Sequence, residues 1–278
     1  MHDIVTITVN YKMKDDIDRM LQSLKEDIKD TQLKVLSVIV DNDSQDGIKL
    51  MLQEKHPHVE FVGSPQNVGF GKANNVALRR YPACYYFIVN PDVEFPEQQK
   101  TLEAMHKFME EHPRVGMVGP KLLNSDGTLQ YSCYRFPEFL TQPLSRLAFD
   151  QKWVAARKRA ARLHMKDFDH ASTRPVDWVM GSAMFVRGSV LAEVGHFDDR
   201  YFMYFEDCDW CRRFWQHGWP VYYLHHIELR HAHHRYSAHV DGRPVGFWAI
   251  FSNKLTRIHI KSWLQYFWKW RRDPLRHY

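Results

Sequence analysis

The chain has 278 residues, 44% hydrophobic and 26% charged, a composition suited to one large globular domain or a domain with a small appendage. That balance excludes a disordered, collagenous or coiled-coil protein. The formal charge of +5 is concentrated in the tail, where seven Lys or Arg between Lys254 and Tyr278 face the single acid Asp273, so an anionic partner is expected, either lipid or nucleic acid.

Taken in chain order, the first half repeats one unit: an apolar run of strand length, then a stretch with helical spacing. Ile4 to Val9 is β-branched and ends at Asn10, and Ile17, Met20, Leu21, Leu24 and Ile28 follow at helical spacing. Val35 to Val40 ends at Asp41. Val59 to Val62 precedes a helix from about Lys72 to Arg80, and Tyr85 to Val89 ends at Asn90-Pro91-Asp92. Strands alternating with helices predict an α/β fold, a mostly parallel sheet covered by helices on both faces. Further on, Val115 to Val118 and Trp178 to Val186 read as strands, and Tyr204 to Trp215 as a helix that opens with acids. Gln151 to Lys166 reads as a basic helix, either a solvated surface helix or one that meets anionic lipid.

No apolar run approaches the roughly 18 to 20 residues needed to span a bilayer. The start, MHDIVTITVNY, lacks the layout of a secretory signal, so a cytoplasmic protein without a transmembrane anchor is expected. Cys84, Cys133, Cys208 and Cys211 are too few and scattered for a disulfide framework and are expected as thiols.

Ligands of parallel sheets sit outside the carboxyl ends of the strands, where Asn10, Asp41 and Asp92 are expected to converge. Asp and Asn also begin turns, so each alone is weak. A carboxylate held behind a proline, as in Asn90-Pro91-Asp92, can bind a hard divalent cation that in turn holds diphosphate oxygens.

Together with Val40-Asp41-Asn42-Asp43-Ser44-Gln45-Asp46-Gly47 and Asn67-Val68-Gly69-Phe70-Gly71-Lys72-Ala73-Asn74-Asn75, this ordered set resembles the family 2 glycosyltransferases of the GT-A fold, in the branch of bacterial rhamnosyltransferases. The resemblance spans about residues 3 to 240. It implies that Asn10, Asp41, Asn67, Gly69, Asn74 and Asn90 shape the nucleotide-sugar pocket, with Asp41 on the base. Asp92 would hold Mg²⁺ or Mn²⁺ on the leaving diphosphate. Lys12 and Asp43 depart from the family pattern.

In Phe202-Met203-Tyr204-Phe205-Glu206-Asp207-Cys208-Asp209-Trp210, the resemblance assigns Asp207 as the base that deprotonates the acceptor hydroxyl, with Glu206 orienting the acceptor or raising the base's pKa by like charge. Three acids in a first helical turn also suit the helix dipole. One base without a covalent nucleophile implies a single displacement with inversion. Arg212 on the same helix could reach the diphosphate or make a surface salt bridge. His231-Ala232-His233 puts two imidazoles on one face of an extended segment, and the resemblance maps the metal- or diphosphate-assisting His onto His233, with Ser237 beyond it. Trp178, Gly181 and Ser182 resemble the acceptor-side wall, or form a buried strand with a Gly bulge.

From Phe247, aromatics and cations interleave at helical spacing up to Arg272. The expected organisation is therefore a catalytic domain over 1–240 and C-terminal basic-aromatic helices over 241–278, at an anionic membrane surface or packed on the domain. Nucleic acid is the less favoured partner, because no nucleic-acid module accompanies the tail. The expected activity is transfer of a sugar, L-rhamnose from dTDP-rhamnose by resemblance, to a lipid-linked saccharide at the inner face of the cell membrane. The rivals are a nucleotidyltransferase and a non-catalytic binding protein.

Overall fold

The computed structural model describes residues 1–139, 154–232, 239–240, 243–244 and 253–273. Its first half follows the apolar runs: β1 (His2–Asn10), α1 (Lys14–Asp27), β2 (Val35–Asp41), α2 (Ile48–Lys55), β3 (Glu60–Gly63), α3 (Phe70–Arg80) and β4 (Ala83–Val89). Ile4, Val5 and Ile7 are fully buried because β1 is covered on both faces, which is why its sequence is a continuous apolar run rather than an alternation. α1 buries Ile17, Met20, Leu21 and Leu24 along one stripe.

After β4 come β5 (Val93–Glu94), α4 (Thr101–Glu111), β6 (Met117–Leu123), β7 (Leu129–Gln130), β8 (Cys133–Tyr134), α5 (Val154–Leu163), β9 (Arg174–Pro175), β10 (Trp178–Val179), β11 (Ala183–Arg187) and the short α6 (Leu191–Val194). The chain continues through α7 (Glu206–Gln216), β12 (Val221–His231), the small pair β13 (His239–Val240) and β14 (Arg243–Pro244), and α8 (Lys254–Lys269).

The main sheet has the order β3-β2-β1-β4-β11-β6-β12-β5, with β7 on β6 and β9 on β12. β1, β2, β3 and β4 pair in parallel, as do β6 and β12. β11 lies between the two groups, antiparallel to both β4 and β6. The sheet is thus mostly parallel and covered by helices, with one reversed strand at its centre.

The segment expected as one strand from Trp178 to Val186 is two. β10 pairs with β8 in a separate ribbon, and β11 enters the main sheet. Between them Met180 N–H donates to Ser132 O and Asn90 N–H donates to Ser182 O. Backbone groups at this break therefore bond to neighbouring segments instead of to a ladder.

The C-terminal helix packs on the preceding α/β body. Tyr266 and Trp270 are buried, and Ser262 Oγ donates to Met203 O at 2.8 Å. Phe247 to Phe251, the start of the expected basic-aromatic stretch, lies outside the described residues, as do His233 and Ser237. No helix among the described residues is long and apolar enough to cross a membrane.

Candidate active site

The carboxyl ends of β1 and β2 are tied side by side. Asn10 pairs with Asp41 in the ladder, and its amide Nδ2 donates to Asp41 Oδ1 at 2.9 Å and to the Asp46 carboxylate at 3.1 and 3.2 Å. Asn10 Oδ1 accepts the Met13 N–H at 3.0 Å. Asn10 is fully buried, so it shapes the loop above β1, while the half-buried Asp41 retains exposure.

Lys12, Asp43 and Gln45 in these two loops have φ of 60°, 61° and 54°, in the left-handed region. The positions where this chain departs from the family pattern, Lys12 and Asp43, are thus ones where the backbone favours Asn or Gly. Asp46 and Ser44 hold the two loops together, accepting the N–H groups of Lys14 at 3.2 Å and Lys12 at 3.1 Å.

The next loop is organised by Asn42, which the sequence motif contains but to which no role was given. Its Nδ2 donates to Asn67 Oδ1 at 2.9 Å, and its Oδ1 accepts the Val68 N–H at 2.9 Å. Asn67 Oδ1 also accepts the Gly69 N–H at 3.0 Å. Gly69 has φ +88°, and a Cβ there would lie 2.0 Å from Phe202 O, the carbonyl that accepts the Phe70 N–H at 3.0 Å. Glycine is required by both the dihedral and the close approach. Asn74 is fully buried, with Nδ2 on Phe70 O, so it braces the first turn of α3, and its Oδ1 is without a partner.

Phe202 leads directly into the acidic segment. Tyr204 and Phe205, at φ 70° and 69°, form a left-handed pair that turns the chain into α7. Two bulky residues in this conformation are held by tertiary contacts. His259 of α8 stacks on Tyr204 at 4.6 Å, and Tyr266 lies 5.2 Å from the Phe205 ring.

Glu206 and Asp207 then open α7 in different surroundings. Asp207 is half-buried; its Oδ2 accepts the Gly181 N–H at 2.9 Å and its Oδ1 the Cys208 N–H at 2.8 Å. Trp178 brings its indole N–H close enough to lower the same carboxyl's pKa without completing a hydrogen bond. Glu206 is buried against the first turn of α3, and its Oε2 has no hydrogen-bond partner.

Burial raises the pKa of both carboxyls. Glu206 is pushed up to about 8 by burial and then by the Asp207 charge. The pair's first proton belongs on Glu206, because Asp207 accepts the Gly181 and Cys208 N–H groups that stabilise its anion, whereas Glu206 is met only by its own backbone N–H and leaves Oε2 unpartnered. Glu206 thus lies against Gly71 of α3, next to Asp207 in sequence but in drier surroundings.

Gly181 carries Asp207 to the β4 side. A Cβ on Gly181 would meet the Asp207 carboxylate at 3.3 Å, and the adjacent Ser182 carbonyl accepts the Asn90 N–H at 2.9 Å. Ser182 itself is buried. Trp178 stacks on Tyr134 at 4.4 Å, its cross-strand partner, making a broad aromatic wall beside Asp207. Tyr134 was not singled out from sequence, because only the β8–β10 pairing reveals it.

Asp92 lies two residues beyond Asn90, and its Oδ1 is 3.2 Å from His231 Nε2. This follows from register: His231 of β12 pairs with Val93 of β5. His231 Nδ1 contacts Gln130 Oε1 at 2.6 Å. Hydrogen bonds and short stretches of backbone thus link Asp41 and Asn42 to Gly69, the Gly69–Phe70 turn to Phe202, Asp207 to Gly181, and Ser182 to Asn90, two residues before Asp92.

Among the described residues, no group of three His, Cys, Asp or Glu side chains is gathered to hold a metal. Magnesium-like ions bound with a diphosphate need only one or two protein carboxylates, since phosphate oxygens and water complete the shell. The hard oxygen donor of Asp92, oriented by His231, fits that arrangement.

Arg212 is placed elsewhere. Its guanidinium stacks over Trp270 at 4.3 Å and donates to Tyr266 Oη at 3.2 Å and Asp273 O at 2.7 Å, all from the C-terminal segment. The third acid, Asp209, is fully buried and anchors the same segment, accepting from Lys269 Nζ at 2.7 Å and Trp270 Nε1 at 3.0 Å, with Arg213 at 3.1 Å.

A family model described as Glycosyl transferase family 2 matches residues 3–167, more than half of the chain. The chain belongs to this family. A second model, Glycosyl transferase family group 2, matches residues 148–271 of this glycosyltransferase. It is 28% identical over 292 residues to the N-acetylglucosaminyl-diphospho-decaprenol L-rhamnosyltransferase of Mycobacterium tuberculosis, covering 99% of this chain and 89% of the relative. It is also 28% identical over 273 residues to rhamnosyltransferase WbbL of Escherichia coli, covering 95% and 92%.

Among solved structures, the glycosyltransferase resembles a mannosyltransferase from Pyrobaculum calidifontis in complex with GDP-Man and Mn²⁺, with TM-score 0.56, 18% identity and 85% of this chain covered. It also resembles GalNAc-T7 with UDP, GalNAc and Mn²⁺, with TM-score 0.65, 11% identity and 98% covered. It spans 58% and 49% of those two chains. These likenesses establish the GT-A fold.

Proposed function

We propose that this glycosyltransferase inverts an anomeric carbon as it moves L-rhamnose from dTDP-rhamnose to a saccharide on a lipid diphosphate at a membrane surface. The observation that carries the reading is the Asp207 carboxylate, fixed by the Gly181 and Cys208 N–H groups and set beside the Trp178–Tyr134 wall. Both full-length rhamnosyltransferase relatives support the donor sugar, and the name of the mycobacterial relative supports a polyprenyl-diphosphate acceptor.

In this reading Asp207 takes the proton of the acceptor hydroxyl as that oxygen attacks C1 of the sugar. Gly181 and Cys208 keep the carboxylate pointed at its task, which limits the reorganisation needed on attack. Asp41, Asn42, Asn67 and Gly69 form the nucleotide side. Asp92 would hold a divalent ion, Mg²⁺ or Mn²⁺, which when bound stabilises negative charge on the leaving diphosphate. The outlying role for Arg212 is the C-terminal anchor, and His233 remains a proposed diphosphate-side ligand.

The test pairs two variants with a donor screen. Asp207→Asn is expected to abolish turnover while keeping donor affinity, whereas Asp92→Ala weakens donor binding and its response to Mg²⁺ or Mn²⁺. Wild-type turnover in either variant refutes that residue's role. Release of pyrophosphate instead of nucleoside diphosphate favours a nucleotidyltransferase.

A further inference from the structure

α8 has two faces with different chemistry. The inner face carries Ser262, Tyr266 and Trp270 against the catalytic domain. The outer face exposes Lys254, Arg257, Lys261, Leu264 and Trp268 in a single stripe at spacings of three and four residues, and the turn that follows adds the exposed Arg271 and Arg272. Leu264 is 51% and Trp268 69% exposed, two of few large apolar side chains in water. Among the described residues, no carboxylate pairs with any of these five cations. Arg271 lies over the Trp268 ring at 4.1 Å.

The stripe is extended sideways by a third exposed apolar residue. Phe139, 49% exposed, packs on Trp263 at 4.5 Å and on Phe267 at 5.2 Å. Its segment is joined to the basic helix α5, since Arg135 N–H donates to Leu163 O at 2.9 Å and Glu138 lies 3.7 Å from Arg162. Lys158 and Arg162 of α5 and Lys166 just beyond it are exposed. The acids here, Glu138 and Asp167, are engaged by Arg162 and Arg135.

We infer that the outer stripe of α8, with Phe139 and the exposed cations of α5, docks on an anionic lipid bilayer, with Leu264 and Trp268 entering the headgroup boundary. Cations flanking a short apolar centre suit this occupant: each contributes attraction at a negative surface, and the aromatic and aliphatic groups add buried apolar area. A single-stranded nucleic acid would call for aromatic faces laid out along a groove. Here one exposed ring, Trp268, lies on a helix and the other, Phe139, on a turn beside it, so no run of faces is laid out. Such docking serves the lipid-linked acceptor and rests on that reading for its purpose. The helix that meets lipid also buttresses the Tyr204–Phe205 turn in front of Asp207.

The test is co-sedimentation of the full chain with vesicles of phosphatidylcholine alone and of phosphatidylcholine with phosphatidylglycerol. Binding is expected to be about tenfold or more tighter to the anionic vesicles and to weaken with salt. The Leu264→Glu/Trp268→Glu double variant is expected to lose about tenfold or more of that binding, with unchanged thermal unfolding and unchanged turnover on a water-soluble acceptor. Asp207→Asn is expected to bind vesicles as the wild type does. Wild-type indifference to the anionic lipid, an unimpaired double variant, or tighter binding to a single-stranded oligonucleotide overturns the inference. Failure of turnover with every donor, while vesicle binding persists, overturns the transfer reading alone.

Discussion

Gly181 donates its N–H to Asp207 Oδ2 at 2.9 Å, joining a break in the β10–β11 segment to the first turn of α7. The bond stabilises the ionised form of Asp207, while the adjacent Glu206 has a buried oxygen with no donor. Burial raises both neighbouring carboxyls, and these bonds set them apart, with Asp207 the easier of the two to ionise.

Glu206→Gln is expected to keep most of the activity and to leave the acidic limb of the pH–rate profile in place, since Glu206 is already neutral where Asp207 ionises. Stability gives a second readout. The Glu206 carboxyl titrates at about 8 in the fold against an ordinary 4.5, so the folded state holds an extra proton between these values. Its contribution is present below pH 4.5 and is lost as pH rises through about 8. Glu206→Gln should remove that loss, so its melting temperature gains on the wild type as pH rises; a constant difference across this range refutes the assignment.

Arg212→Ala is expected to lower stability by about 2 kcal/mol or more, from the lost charged hydrogen bonds and the buried stack on Trp270, with donor affinity unchanged. Donor titration together with urea unfolding separates the two possibilities. Weakened donor binding at full stability would return the guanidinium to the diphosphate.

Asp27, the last residue of α1, accepts the N–H groups of Thr101 at 2.6 Å and Leu102 at 3.1 Å and so caps α4 from another helix. Lys100 at the start of α4 supplies no side-chain cap. Asp27→Ala leaves two buried donors unmet and should cost about 2 to 3 kcal/mol in urea unfolding, whereas Asp27→Asn, which keeps an acceptor, should cost less.

Lys12 has φ 60° and offers its N–H to Ser44 Oγ. Lys12→Asn keeps that backbone bond and suits the left-handed conformation, so a gain of about 1 kcal/mol is expected. Lys12→Val, with a β-branched side chain, should lose stability. Denaturant midpoints of the two variants check the sign.

The donor half of the fold was legible because its code is local. Runs such as Ile4 to Val9 are buried on both faces, and Asn10 and Asp41 follow directly where such strands stop. The tail was legible as an amphipathic helix, though its partner was not. Arg212 and Trp270 stack although they lie 58 positions apart in sequence, and nothing near Arg212 announces the ring that receives it. Trp178 to Val186 reads as one strand because its apolar content is continuous, and only the bonds of Met180 and Asn90 to Ser132 and Ser182 show the break. β12 escaped notice because His225 and His226 interrupt its apolar pattern, where its register to β6 also shifts.

The reversal of β11 has a consequence for how such an enzyme can diversify. An antiparallel strand presents its beginning where its parallel neighbours present their ends, so Ser182 arrives at the same rim as Asn90. In the proposed reading, the loops that grip the nucleotide and those that greet the incoming alcohol thus descend from separate stretches of chain, which meet at that rim and where Phe70 bonds to Phe202. Either stretch can be rewritten, for a new donor or a new acceptor, without redrafting the other.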